Sequence, residues 1–139
     1  MTKTFTLDPR LAADTLAVCD LPLSVVRLMN DCRFPWLILV PRRADAVEIN
    51  DLEPADRLRL WDEIAAVSKV LEALAKPKKL NVAAIGNIVA QLHVHIVARR
   101  DDDAAWPRPV WGVGVAEPYP SSSAEALIAS LNKRLVVAI

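Results

Sequence analysis

Two histidines, two residues apart, are the side chains of this sequence best suited to chemistry. His93 and His95 are its only histidines. The segment around them alternates apolar and polar residues, in the order Gln91, Leu92, His93, Val94, His95, Ile96. Alternation of this kind is the period of a half-buried β-strand. We therefore predict a strand that turns its aliphatic residues to the core and gathers Gln91, His93 and His95 on its other face.

Metal binding is one chemistry open to paired imidazoles on a strand. A catalytic zinc site needs a third protein ligand. The sequence offers no further histidine, and Arg99 stands where an acidic ligand would be expected. Three aspartates follow at 101–103, beyond the predicted end of the strand. The ligand count therefore falls short, and we predict no metal site.

General acid–base catalysis and nucleophilic attack on phosphorus are the two other chemistries. A neutral imidazole attacks through one nitrogen when its other N–H is held by a carbonyl or a carboxylate. A second imidazole nearby could bind a phosphoryl oxygen or protonate the leaving group, and Gln91 could donate its amide N–H to the same phosphate. The plain structural alternative is that Gln91, His93 and His95 only line a polar sheet face.

Composition excludes several classes of protein. Lys and Arg together number 17, as do Asp and Glu, so the chain carries no basic footprint for nucleic acid. No apolar run approaches membrane-spanning length, and the N-terminus lacks the apolar run of a secretory signal. Cys19 and Cys32 lack the close spacing of a metal or redox motif, so we expect reduced, buried thiols in a cytoplasmic protein. With only three glycines, the chain has no glycine-rich phosphate loop.

The rest of the sequence predicts an α+β domain on an antiparallel sheet, spanning 1–139 as one unit. Predicted helices cover 8–18, 54–76 and a last segment that Ser121, Ser122 and Ser123 begin; predicted strands cover 21–29, 36–40, 80–85 and 92–99. Pro54 suits the first turn of the long helix, and an apolar stripe that includes Trp61 recurs at helical spacing. We assign Trp36 and Trp61 to the core.

Residues 91–97 resemble the signature of the histidine-triad (HIT) superfamily, His-x-His-x-His followed by two apolar residues. Here the motif reads Gln-Leu-His-Val-His-Ile-Val. Residues 36–43, Trp-Leu-Ile-Leu-Val-Pro-Arg-Arg, are similar to the family's second strand, and Asp51-Leu52 before a long helix matches its layout. The resemblance covers about residues 20–100, and 106–112 look like the corresponding stretch of bacterial HIT-domain proteins. It implies a HIT-like antiparallel sheet with a long helix between strands and a C-terminal helix.

The resemblance also implies a function. Members are nucleotide hydrolases and transferases, typically homodimers whose sheets join, and they need no metal or organic cofactor. The middle histidine of the triad, here His93, attacks an α-phosphate to form a nucleotidyl-histidine intermediate. His95 takes the place of the third histidine, which contacts phosphate and leaving group, and Gln91 replaces the first. Glutamine cannot carry a proton, so the alternative is a nucleotide-binding or interaction module with little catalysis.

Four further residues are candidates for substrate binding. The family holds ribose hydroxyls with an acidic or amide side chain near the start of the hairpin, where Asn30 and Asp31 stand; both are also ordinary turn residues. Asn87 could orient phosphate or close the connection before the motif. Arg99 shares the histidine face and could meet phosphate. Trp106 and Trp111 could stack on a base, lie in a dimer interface, or cover the core edge.

Overall fold

The histidine segment enters an antiparallel sheet of five strands. The computed structural model describes residues 3–138. In chain order the elements are α1 (Pro9–Asp14), β1 (Thr15–Asp20), β2 (Ser24–Met29), β3 (Trp36–Pro41), a 3₁₀ turn (Ile49–Asp51), α2 (Pro54–Ala75), β4 (Lys79–Ala83), β5 (Val94–Arg99) and α3 (Ser121–Ala138). The strand order is β1-β2-β3-β5-β4, and every neighbouring pair is antiparallel. The predicted α+β class is confirmed.

The two sheet faces have different covers. One face, which we call the helix-covered face, carries Leu37 and Leu39 of β3 with Val94 and Ile96 of β5, and packs against α2 and α3. The other, the histidine face, carries Trp36 and Ile38 of β3 beside His95 and Val97 of β5. Successive side chains of β5 therefore point to opposite faces of the sheet, as the alternating sequence predicts.

Helix α2 packs on the sheet through a buried stripe that shares most positions with the predicted one but runs through Leu60 instead of Trp61. Pro54 lies in its first turn, and Lys76 ends it in a left-handed conformation at φ 47°. The stripe runs through Leu60, Ile64, Val67 and Leu71, all buried. Trp61 is 56% exposed, so its assignment to the core was wrong. A helix turns by about 100° per residue, so the neighbour of a buried position points well away from the core.

The N-terminal third departs from the prediction in two places. The helix predicted over 8–18 ends at Asp14, because Thr15 begins β1, a strand that pairs with β2 and that the sequence analysis missed. The strand predicted from Leu21 begins only at Ser24. Leu21 donates its N–H to the Ser24 carbonyl and so closes a turn before β2. β-branched Thr15 fits a strand better than a helix.

Two segments outside the sheet cover the histidine face. One, the N-terminal segment of residues 5–14, packs Leu11, 4% exposed, against Ile38 and Val40. The other follows β5 and packs Ala105 and Val110 against the other end of the face. The covers leave a gap, and the two histidines lie in it.

A buried ion pair holds the second cover in place. Arg99 is 1% exposed and binds both carboxylate oxygens of Asp103, at 2.8 and 3.1 Å, while its third nitrogen donates to Asn81. Burial alone would raise the pKa of Asp103, but hydrogen bonds from Arg99 and from the backbone N–H groups of Ala105 and Trp106 lower it to about 2. This carboxylate therefore stabilises the fold above about pH 4, and that contribution is lost as the pH falls toward 2.

Within residues 3–138, no helix combines the length and the apolar character needed to cross a membrane.

Removing the Asp103 carboxylate leaves the Arg99 guanidinium buried without its ionic partner. We expect Asp103→Ala to lower the free energy of unfolding by about 3–5 kcal/mol. The matched control is Asp102→Ala, which breaks an exposed pair with Arg100 and should leave that free energy almost unchanged. Urea denaturation of the three proteins measures both values, and equal stabilities would contradict the role given to the buried pair.

Candidate functional site

The two imidazole rings lie side by side on the histidine face. Their centroids are 4.9 Å apart and their planes meet at 66°. His93 is 7% exposed and His95 is 5% exposed. They therefore share one face, as the strand period predicts, but the two covers of that face shield them from most of the solvent.

The backbone fixes the proton of His93. Its Nδ1 lies 2.7 Å from the carbonyl oxygen of Gln91. A carbonyl oxygen only accepts hydrogen bonds, so Nδ1 carries the hydrogen and donates it. In the neutral ring, Nε2 then keeps a free lone pair. His93 has the tautomer that a nitrogen nucleophile requires.

An indole fixes the proton of His95 in the opposite sense. Trp36 donates its Nε1–H to Nδ1 of His95 at 3.0 Å. Because an indole nitrogen only donates, Nδ1 of His95 is the acceptor and the ring hydrogen sits on Nε2. Burial, and to a lesser extent the neighbouring His93, lowers the pKa of His95 to about 3. At neutral pH this ring is an uncharged hydrogen-bond donor.

Both rings open into a cleft of about 460 Å³. The residues that line it share an apolar character: Leu11, Met29, Trp36, Ile85, Ile88, Val89 and Trp111, with Gly86, Gly112, Asn87, Arg10 and Asp14 at their side. Arg10 pairs with Asp14 across 3.7 Å at the surface. The cleft thus combines two oriented imidazoles with one cation that is already paired.

The side chain of Gln91 turns toward the N-terminal segment. Its amide oxygen accepts the N–H of Asp8 at 2.9 Å, and its amide nitrogen donates to the carbonyl of Thr6 at 2.8 Å. The oxygen and one N–H are therefore engaged. The residue type predicted this amide at a phosphate. In the structure the side chain binds the backbone of Thr6 and Asp8, and the main-chain carbonyl of Gln91 orients His93.

Three of the four expected substrate-binding residues are engaged elsewhere and do not line the cleft. Asn30 accepts the N–H of Tyr119, and Asp31, 2% exposed, pairs with Arg33 at 2.8 Å. Both anchor the stretch before α3 instead of facing a ligand. Arg99 belongs to the buried pair with Asp103. Asn87 does line the cleft, in the loop that precedes the motif.

The two loop tryptophans have different surroundings. Trp111 packs edge-on against His95 and Trp36, with ring centroids at 5.1 and 5.8 Å. Trp106 lies against the guanidinium of Arg99 at 5.6 Å and so covers the buried pair.

Sequence reasoning missed Trp36 as a partner of the site. It recognised a core residue there, but no spacing in the sequence places the Trp36 indole beside His95. It also missed the contribution of α1, because Arg10, Leu11 and Asp14 lie some eighty residues from the histidines. Cys19 and Cys32 are both free, but Cys19 is only half-buried and Cys32 is exposed, so neither is buried as expected. Among residues 3–138, no group of three or more His, Cys, Asp or Glu side chains is placed to hold a metal ion.

Comparison with known proteins decides the family. A sequence model of the HIT domain matches residues 10–102. The chain belongs to the HIT family. Its HIT fold is also that of a histidine triad protein from Bradyrhizobium japonicum, which is 48% identical, with a TM-score of 0.94 over 96% of this chain and 99% of that one.

Two further solved HIT structures agree along nearly the whole chain. A histidine triad protein from Sinorhizobium meliloti is 46% identical, with a TM-score of 0.93 over 96% of this chain and 99% of its own. One from Marinobacter aquaeolei is 41% identical, with a TM-score of 0.95 over 99% of this chain and 100% of its own. Curated proteins gave no significant match. The predicted membership and the HIT-like sheet are confirmed.

The burial of His95 predicts that its ring does not titrate near neutral pH. We expect the ring to stay neutral, with hydrogen on Nε2, from pH 8 down to about pH 4, since its pKa is lowered to about 3. An unfolded histidine takes up a proton near pH 6.5, so stability should fall as the pH drops from about 6.5 toward 3. Histidine NMR spectra across this range measure the first effect, with Trp36→Phe as the variant that removes the donor to Nδ1. A His95 ring that titrates near pH 6.5 in the folded protein would contradict this assignment.

Proposed function

We propose that this HIT protein hydrolyses or transfers a nucleotide at the α-phosphate of a nucleotide conjugate, through a nucleotidyl-His93 intermediate. The observation that carries the proposal is the pair of opposite tautomers in one cleft. Nε2 of His93 keeps a lone pair, while Nε2 of His95 carries a hydrogen. A nucleophile beside a hydrogen-bond donor is what displacement at a phosphorus centre needs.

The first step forms one bond and breaks one. Nε2 of His93 attacks the α-phosphorus, a bond forms between nitrogen and phosphorus, and the bond from phosphorus to the leaving group breaks. The leaving group departs with that electron pair. The Nδ1–H of His93 stays hydrogen-bonded to the Gln91 carbonyl, which stabilises the positive charge that develops on the ring. In the second step water or another acceptor attacks phosphorus and releases its proton to solvent, the bond between phosphorus and nitrogen breaks, and Nε2 regains its lone pair.

The role of His95 follows from its low pKa. Because the ring is neutral near pH 7, it donates Nε2–H to a non-bridging phosphoryl oxygen and stabilises the charge of the transition state. It does not serve as the proton donor to the leaving group. The leaving group takes its proton from water in the cleft.

Further contacts complete the proposal. Asn87 lies at the cleft and offers an amide to the phosphate or the ribose. Asn30, Asp31 and Arg99 are left out of the proposed site, because they do not line the cleft and each already binds another protein group. Gln91 contributes its main-chain carbonyl.

We also propose a homodimer whose two sheets join, acting in the cytoplasm, where two free cysteines stay reduced. β4 is an edge of the sheet, and Val82, Ile85 and Ile88, on this strand and the loop after it, are 40–76% exposed. An apolar edge strand invites pairing with another chain. Sedimentation equilibrium should give twice the 15.3 kDa of one chain; a monomer mass at micromolar concentration would refute the dimer.

Replacement of each histidine tests the assigned roles. On nucleoside phosphoramidates and dinucleoside polyphosphates, we expect His93→Ala to lose turnover by roughly a thousandfold or more, because the nucleophile is gone. His95→Ala should lose roughly a hundredfold, the effect of removing one transition-state donor. Glu125→Ala, on the exposed side of α3, is the control and should match the wild-type rate.

Two outcomes would refute the proposed enzymatic activity. Undiminished turnover in His93→Ala would remove His93 as nucleophile. A wild-type protein that binds nucleoside monophosphate in calorimetry but processes no conjugate would be the binding module that the missing first histidine suggests.

A further inference from the structure

The N-terminal segment of residues 5–14 is a wall of the cleft, although it lies far from the motif in sequence. Leu11 faces the cleft from this side, with Arg10 and Asp14 at its rim. Leu11 also packs on Ile38 and Val40, and Asp8 caps α1 by accepting the N–H of Arg10 at 2.8 Å. Where this segment sits therefore determines how much room lies beside the histidines.

The Gln91 side chain connects this wall of the cleft to the histidine motif. Its amide binds the carbonyl of Thr6 and the N–H of Asp8, which are two groups on the same side of one extended stretch. The oxygen and nitrogen of an amide project side by side, in the spacing of a backbone pair. The donor and acceptor nitrogens of an imidazole diverge, so a histidine at this position could not make both bonds to residues 6 and 8.

The charges that line the cleft limit how much negative charge a leaving group can carry there. Of the residues that line the cleft, Arg10 is the one with a permanent positive charge, and Asp14 already pairs with it. A polyphosphate leaving group brings several negative charges, which proteins bind through arginines and lysines. The other lining residues are mostly apolar, and they suit a compact group of low charge.

We propose that Gln91 is a positioning residue that clamps the N-terminal segment over the cleft, and that the clamped segment excludes polyanionic leaving groups. The second half rests on the proposed function. The residue that replaces the first histidine of the triad then determines substrate selection through the segment it holds, and the main chain of the same residue orients the nucleophile.

Hydrogen exchange tests the clamp without any turnover. In Gln91→Ala the amides of Asp8 and Ala12 should exchange about tenfold faster or more than in the wild type, because two hydrogen bonds that hold the segment are lost. Gln91→His should resemble Gln91→Ala. Gln91→Glu, which accepts from Asp8 but cannot donate to Thr6, should lie between them. The amides of β3 are the internal reference and should not change.

Binding tests the selection. In a His93→Ala background, calorimetry should show adenosine 5′-phosphoramidate binding about tenfold more tightly than diadenosine tetraphosphate, and added Gln91→Ala should bring that ratio near one.

The outcomes separate the claims. Unchanged exchange in Gln91→Ala would overturn the clamp, and faster exchange with an unchanged binding ratio would overturn the exclusion. Failure of both probes to bind would refute the proposed function and the exclusion with it, while the exchange result would still decide the clamp.

Discussion

Two hydrogen bonds, from His93 to a carbonyl and from an indole to His95, set the chemistry of this site. Without them, either ring nitrogen of each imidazole could carry the hydrogen. With them, one ring presents a lone pair to the cleft and its neighbour presents a hydrogen. The donor to His95 comes from a strand: Trp36 begins β3, which pairs with β5 in register at Ile38 and His95. The sheet therefore fixes the positions of Trp36 and His95 before any ligand binds, while Gln91 and His93 lie just before β5.

Burial makes this arrangement work and also limits it. Placing two imidazoles under the covers of the histidine face disfavours charge on His95, whose pKa falls to about 3. A ring that cannot be protonated near pH 7 is a reliable hydrogen-bond donor and a poor acid. Polar interactions hold both covers. The Arg99–Asp103 ion pair holds the segment after β5, and the Gln91 amide holds the N-terminal segment. The architecture of the face thus links fold stability to the electrostatics of the site.

Much of the fold follows from local pattern. The alternation predicted that His93 and His95 share a face, although the strand predicted over 92–99 begins only at Val94, and Pro54 marked the start of α2. Patterns that fit two structures failed: Pro9 suits the first turn of a helix and predicted one over 8–18, yet strand pairing with β2 ends that helix at Asp14. Trp61 shows a similar ambiguity, because it stands one residue from the buried Leu60 and that step turns its side chain to solvent.

The site was less predictable than the fold, for a physical reason. The motif located both histidines, but tautomers depend on partners that lie far away in sequence, and no spacing rule names Trp36 as the donor to His95. The expectations for Asn30, Asp31 and Arg99 came from position along the chain. In the folded protein each of these side chains binds another protein group, and the buried Asp31 and Arg99 require such partners. Gln91 shows the limit most clearly: its residue type suggested a phosphate ligand, and its contacts are to backbone.

The most direct test of the account is to trap the covalent intermediate. The protein is mixed with a nucleoside phosphoramidate, quenched in base within one turnover, and its intact mass is measured. The account predicts an added nucleoside monophosphate group, located on His93 by fragmentation and missing in His93→Ala. Turnover of the conjugate with no adduct on His93 at any quench time would contradict it.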